Sequence, residues 1–411
     1  MGIVYLGIFQ HIGPEIPLIL VLMALFGLRA RVNVGVSLFV KASPERLWDI
    51  LNPSDGKTDN WGRTTVVARR VSGPGETYEM TYSSPGAGGA MRSFKALFGV
   101  TEREPLRRVV MLREGLEGRS INNELLEIRH EITPVDGGSR LTTRYYWGPR
   151  LLLAQLLARA DLWSGAYRLK GLAETGQPDE KAYFWINTVM AVLTGLISLV
   201  AFGLMLGLNF ALVLVFALAV HEFGHLLAFR LVGQPWGRLV FLPFLGAVAV
   251  PRMPFETQAQ SVFSALMGPG FSALLALACL VPSALGWHSA ALFAIIGAIT
   301  AGLNVFNMLP AEPLDGGVAL RSVLTRMVGS KAWIGLMSFG VIIAVAGYFF
   351  SQIVLVLFGG LAVLANLKAR KIDTGLAPLS TLQLCIAIFG YVVITAAHYT
   401  LLLRFIEQIG V

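Results

Sequence analysis

The chain has 411 residues, 55% of them hydrophobic, with a mean hydropathy of +0.65 and only 14% charged side chains. That balance is too apolar for a soluble globular protein and points to a membrane protein. The net charge of +8 comes from basic residues interleaved with acids rather than gathered in a run, which speaks against nucleic acid as a partner. Cys279 and Cys385 both lie in apolar segments, so neither a disulfide framework nor a cysteine zinc site fits.

No Lys or Arg precedes Arg29, so the N-terminus lacks the basic region of a cleavable signal peptide. Residues 1–31 are therefore expected to form a retained membrane anchor. The apolar run Ile16–Leu28 has only 13 residues, short of the ~20 that a span needs. The span must then begin upstream of Pro14 and Glu15, the alternative being a segment that lies in the interface.

After Arg31 the pattern alternates. Val34, Val36, Leu38 and Val40 share one face, as in a half-buried strand. Ser43 then offers an N-cap, Pro44 an N1 residue and Glu45 a first-turn acid, which opens a short helix. Strand-like segments follow, broken at "SGPGE", "SSPGAGG" and "TPVDGGS", the last of them running from Leu141 to Trp147. From Leu151 to Glu174 a helical pattern puts Leu153, Leu156, Leu157, Ala160, Trp163 and Tyr167 on one side. Residues 33–181 hold 21 of the 33 Lys and Arg and 18 of the 25 Asp and Glu. The sharp fall in polarity near position 181 marks a boundary, and 33–178 reads as one α+β domain. Its segments "SLFVKASPERLWDILNP" and "LARADLWSGAYRLKGLAE" resemble the START-like, polyketide-cyclase-type superfamily. The resemblance implies a helix-grip fold, with a sheet wrapped around the C-terminal helix and room for a lipid or other apolar ligand.

Beyond Lys181 apolar segments follow at about 183–207, 209–231, 262–284, 289–309, 333–350, 353–367 and 380–403, giving a multi-pass α-helical membrane protein. Eleven of the twelve basic residues outside 33–181 fall on one side of these spans, Arg404 being the exception. By the positive-inside rule that side, with the START-like domain, is expected to be cytoplasmic, in a plasma membrane of bacterial type.

The segment "ALVLVFALAVHEFGHLLAFR" sets His221, Glu222 and His225 inside an apolar helix. Charged groups at that depth are costly and usually mark a function. His221 and His225, four apart, share one helix face, and H-E-x-x-H is the helical zinc motif with its Glu placed as general base. Catalytic zinc takes three protein ligands, so a third is needed. Of the acids after position 181, Glu312 and Asp315 in "NVFNMLPAEPLDGGVAL" remain as candidates. Pro310, Pro313, Gly316 and Gly317 break the helix there and let a carboxylate turn inward.

"HEFGH", "MGPGF" at Gly268–Gly270 and "NMLPAEPLDGG" together resemble the site-2 protease family of intramembrane zinc metalloproteases, over about residues 183–325. Asn307, Pro310, Leu314, Asp315 and Gly316 match its N-x-x-P-x-x-x-L-D-G motif. The resemblance implies that His221, His225 and Asp315 bind Zn2+ and that Glu222 is the general base. It further implies that Asn307 positions substrate or stabilises the oxyanion, in hydrolysis of peptide bonds in or near transmembrane segments of other proteins. "WGRLVFLPFLGAVAVPRMP", 236–254, is too broken to span and suits a membrane-associated hairpin. Phe244, Gly246 and Val248 in it, together with Asn307, are the expected substrate contacts, an unwound peptide adding as a strand. The protease core is expected over 182–325 and additional transmembrane helices over 326–411. Two rivals stand beside this reading. One is a lipid-sensing membrane protein with an inactive protease core. The other is a metal carrier, which calls for ligands on both sides of the midplane and internal repeats that the sequence does not show.

Overall fold

In the computed structural model the alternation that opens the polar domain is a strand, β1 (Arg29–Val40). The structure describes residues 29–62, 64–73, 75–85, 91–116, 119–120, 126–244, 246–351, 356, 359–360, 362–364, 366–367 and 376–410. The expected anchor therefore lies outside the described residues apart from its last three, and so does much of the expected segment 353–367.

Helix α1 (Pro44–Leu51) starts where the sequence places it, with the Arg46 N–H donating to the Ser43 hydroxyl at 3.3 Å. Eight further strands follow: β2 (Thr58–Trp61), β3 (Thr64–Arg70), β4 (Glu76–Pro85), β5 (Met91–Glu104), β6 (Arg108–Leu116), β7 (Arg119–Ser120), β8 (Leu126–Val135) and β9 (Gly138–Leu151). They build one antiparallel sheet in the order β1-β9-β8-β6-β5-β4-β3-β2, with β7 on β6. The pairing of β1 with β9 joins chain segments about a hundred residues apart, setting Val34 opposite Tyr145 and Val36 opposite Thr143.

Helix α2 (Leu152–Thr175) closes the domain against β1 and β9. Period-2 strands and a period-3.6 helix bury one face each, and the two faces meet. Val32, Val34 and Val36 pack with Ala158, Leu162 and Ala166, while Val40, Leu47, Phe98, Val109, Leu141 and Leu172 form a second cluster. Burying each large aliphatic side chain is worth roughly 1.5–3 kcal/mol. An antiparallel sheet holding one long C-terminal helix is the helix-grip architecture expected from the sequence.

The chain divides into two compact units, Met1–Met205 and Leu206–Val411. Helix α3 (Glu180–Leu206) falls in the first. The second contains α4 (Leu208–Leu231), a hairpin of β10 (Arg238–Leu242) and β11 (Gly246–Val250), α5 (Gln258–Ala278) and the short α6 (Val281–Ala284). It continues with α7 (Ala290–Asn307), α8 (Asp315–Val328), a 3-10 turn at Gly329–Lys331, α9 (Ala332–Phe349) and α10 (Thr381–Ile409).

Among the described residues, six helical segments are long and apolar enough to cross a membrane: Glu180–Leu206, Leu208–Leu231, Gln258–Ala284, Ala290–Asn307, Asp315–Phe349 and Thr381–Ile409. Their outward faces are apolar, as Leu274, Leu292, Ile342 and Phe389 illustrate, while polar residues such as Ser272, Thr300 and Asn304 are buried. That inversion of the soluble pattern is what a lipid surround demands. Helices α4 and α5 approach closely at Gly224, where an added Cβ would run into the backbone of Met267 and Gly268.

Candidate metal centre

The motif histidines sit late in α4, beyond a run of apolar residues that gives the helix no polar face. Both are buried, as is Glu222. Because Gly224 lets α5 come close, the His225 ring reaches the α5 backbone, its Nδ1 lying 2.6 Å from the Ser264 carbonyl oxygen. His221 turns towards α7, where its Nδ1 lies 2.8 Å from Asn304 Oδ1. The Asn304 amide is itself oriented, since its Nδ2 donates to the Thr300 carbonyl at 2.7 Å.

These contacts fix the protons. A carbonyl and an amide oxygen can only accept, so each Nδ1 carries the hydrogen and each neutral ring is left with a bare lone pair on Nε2. The two Nε2 atoms face each other at 3.1 Å. Asp315, the first residue of α8, brings its Oδ2 to 3.1 Å from His221 Nε2 and 3.4 Å from His225 Nε2. With both rings neutral, three acceptors converge with no proton between them, an arrangement that repels itself unless a cation, a proton or a metal ion, sits at its centre. Ligands held at 2.0–2.1 Å in a tetrahedron stand roughly 3.3 Å apart, and the three separations here fit that sphere. Two imidazoles and a carboxylate are also the ligand chemistry of catalytic zinc, and they leave a fourth position open.

Asp315 reaches the site through the broken stretch after α7. The Asp315–Gly316 backbone folds directly onto the Met308 carbonyl, where an added Cβ at Gly316 would overlap. Of the two acids that the sequence left as third ligand, the structure brings Asp315 to the histidines. Glu312 instead pairs with Arg321 at 2.7 Å. Burial pushes the Glu312 carboxyl up, and the Arg321 guanidinium opposes that shift.

Asn307, at the end of α7, places its Nδ2 3.5 Å from His221 Nε2. Glu222 extends towards the hairpin, with the Ala249 backbone N–H at one carboxylate oxygen and no partner for Oε2. Strands β10 and β11 pair antiparallel, Gly246 opposite Leu242 and Val248 opposite Val240. The turn between them holds Phe244 at a φ of 65°, a left-handed conformation that is strained for a bulky residue.

The sequence reading did not single out Asn304, the Ser264 carbonyl or Ala249. Asn304 left a trace, because it lies one turn before Asn307 on an otherwise apolar helix, and a second amide at that spacing shares its face. Backbone groups leave none.

No family model matches the chain. Over 129 residues it is 30% identical to a protein named as a zinc metalloprotease from Synechocystis, a match that covers 31% of this chain and 34% of that protein. Over that stretch the chain is similar to zinc metalloproteases. A zinc metalloprotease from Methanocaldococcus jannaschii is 25% identical over 116 residues, 28% of this chain and 33% of that one. The chain thus spans about a third of the length of the curated relatives it matches. Among solved structures, the site-2 protease from Methanocaldococcus jannaschii covers 45% of this chain and 89% of its own at 20% identity, with a TM-score of 0.32. A protein from Chromobacterium violaceum covers 34% of this chain and 96% of its own at 15% identity, with a TM-score of 0.24.

Proposed function

We propose that this chain is an intramembrane zinc metalloendopeptidase that hydrolyses peptide bonds in or near transmembrane segments of other membrane proteins. One observation carries the reading: His221 Nε2, His225 Nε2 and Asp315 Oδ2 lie 3.1–3.4 Å apart with the proton of each imidazole committed to the opposite nitrogen. Those three residues would hold the metal. Zinc bound there supplies a Lewis acid for the scissile carbonyl and makes a water molecule acidic enough to react near neutral pH.

The remaining work falls to side chains of this chain. Glu222 adjoins His221 and is buried with one carboxylate oxygen uncommitted. It takes a proton from the attacking water and delivers it to the leaving amine as the C–N bond breaks. Asn307 donates its amide N–H towards the oxygen on which negative charge develops, where loss of one donor typically costs ~10²-fold or more in rate.

A helical substrate hides its carbonyls in its own hydrogen bonds and has to unwind first. Residues of an antiparallel strand alternate between facing the partner and facing outward. With the Ala249 N–H turned to Glu222, the outward backbone groups of β11 are those of Ala247 and Ala249. An unwound peptide added along that edge, beside Phe244, Gly246 and Val248, brings its carbonyls to Glu222 and the metal ligands. The START-like domain, expected on the cytoplasmic side from the charge bias, selects or senses through an apolar ligand or the substrate itself.

The test compares wild type with Glu222→Gln in cells, reading zinc content and the membrane proteome. Uncut membrane proteins accumulate in the variant while zinc stays bound. Identical proteomes with zinc retained contradict proteolysis.

A further inference from the structure

We propose that α10 is a positioning element of the metal site, acting through two hydrogen bonds made by Tyr391 and His398; the inference rests on the metal-site reading above. The outward face of α10 is apolar, with Leu382, Ile386, Phe389 and Val392 exposed. Its inward face follows positions 387, 391, 394, 398, 401 and 405, the spacing of a helix seam. Four of these, Ala387, Ile394, Leu401 and Phe405, are apolar. Tyr391 and His398 are the other two. A fully buried imidazole in a membrane helix is costly and calls for a specific partner.

Both polar groups find backbone carbonyls that support the site. Tyr391 donates its hydroxyl to the Met308 carbonyl at 2.6 Å. That carbonyl is the surface on which Gly316 rests, next to Asp315. His398 Nε2 donates to the Pro269 carbonyl at 2.8 Å. The residue before it, Gly268, lies so close under the His225 and His221 rings that a Cβ there would overlap His225. One helix face therefore ties down the backbone beneath the carboxylate and the backbone beneath the imidazoles, at points seven residues apart.

An apolar groove of about 370 Å³, open to the surface and lined by Val262, Leu266, Met267, Ile386 and Ile394, runs along α5 and α10. At Pro269 the α5 ladder also loses an amide, because proline has none to give the Ala265 carbonyl. A proline-interrupted helix gains its fixed position from a directional bond. Neither Tyr391 nor His398 belongs to a motif, since their partners are main-chain oxygens on other segments.

The experiment uses the full chain in detergent and reads zinc affinity by chelator competition, the visible spectrum of the Co2+ form, and kcat and KM separately. Tyr391→Phe deletes a single oxygen, His398→Phe removes the donor while keeping the volume, and His398→Gln restores a donor. Tyr391→Phe and His398→Phe each weaken zinc binding 10–100-fold, the range found when outer partners of metal ligands are lost. They also distort the Co2+ spectrum and lower kcat with little change in KM, and His398→Gln recovers most of the affinity. Wild-type zinc affinity and an unaltered Co2+ spectrum in both phenylalanine variants overturn the inference while leaving the metal site standing. A wild-type chain that binds no zinc overturns both.

Discussion

Replacing Asn304 by leucine removes the acceptor that fixes the His221 proton. In the native arrangement the Nδ1–H donates to Asn304 Oδ1 at 2.8 Å, so Nε2 presents a lone pair to the metal. Asn304 is fully buried, and leucine matches its size closely enough to keep the helix contact dry. The Thr300 carbonyl loses the side-chain amide but keeps its place in the α7 ladder. His221 then has two options. It can leave a buried N–H unpaired, at about 1–3 kcal/mol, or move the proton to Nε2 and lose the lone pair that the metal needs. Either way zinc affinity falls about 10–100-fold, equivalent to about 1.4–2.7 kcal/mol. Competition against a chelator of known affinity measures this directly. Asn304→Asp, which keeps an acceptor at the same place, retains zinc. Wild-type affinity in Asn304→Leu refutes the tautomer argument, because Asn304 Oδ1 is the acceptor described for the His221 Nδ1 hydrogen.

Two further outcomes follow from the same geometry. Gly224→Ala puts a methyl group against the backbone of Met267 and Gly268; overpacking of this kind costs about 1–3 kcal/mol, and the expected result is a lowered melting temperature and substoichiometric zinc by metal analysis. His130, buried between β8 and β9 with Nδ1 2.9 Å from the Thr143 hydroxyl, has its pKa pushed down by burial to about 4 from an ordinary 6.5. The folded state therefore binds fewer protons than the unfolded one between those values. Stability is greatest above pH 6.5, falls by about 3 kcal/mol as the pH drops towards 4, and levels off below. In a pH series of chemical denaturation, His130→Gln loses that part of the slope; a slope equal to wild type contradicts the assignment.

Local pattern carried much of the architecture. Alternation from Val34 to Val40 marked β1, and Ser43-Pro44-Glu45 marked the start of α1, because caps and side-chain periodicity are set by adjacent residues. The i, i+4 spacing of His221 and His225 likewise needed only helix geometry to predict a shared face. Partners across the fold were not readable. Nothing in β1 says that it pairs with β9, and nothing in α7 says that Asn304 meets His221, because a helix or strand pattern gives an inward face without naming what it meets. The choice between Glu312 and Asp315 shows the same limit: both lie in one proline-broken loop, and it is the position of Arg321 on α8 that occupies the first. The hairpin strands, five residues each, were too short and too uniformly apolar for periodicity to set their register.

The central claim is that three side chains from two distant sequence segments hold one zinc ion. Zinc K-edge absorption on the purified full chain addresses it most directly. The expected spectrum has one zinc per chain with two imidazole nitrogens and oxygen ligands at about 2.0–2.1 Å, and Asp315→Ala and His225→Ala each remove the bound metal. A zinc-free wild type, or a coordination shell that survives both substitutions unchanged, contradicts the account.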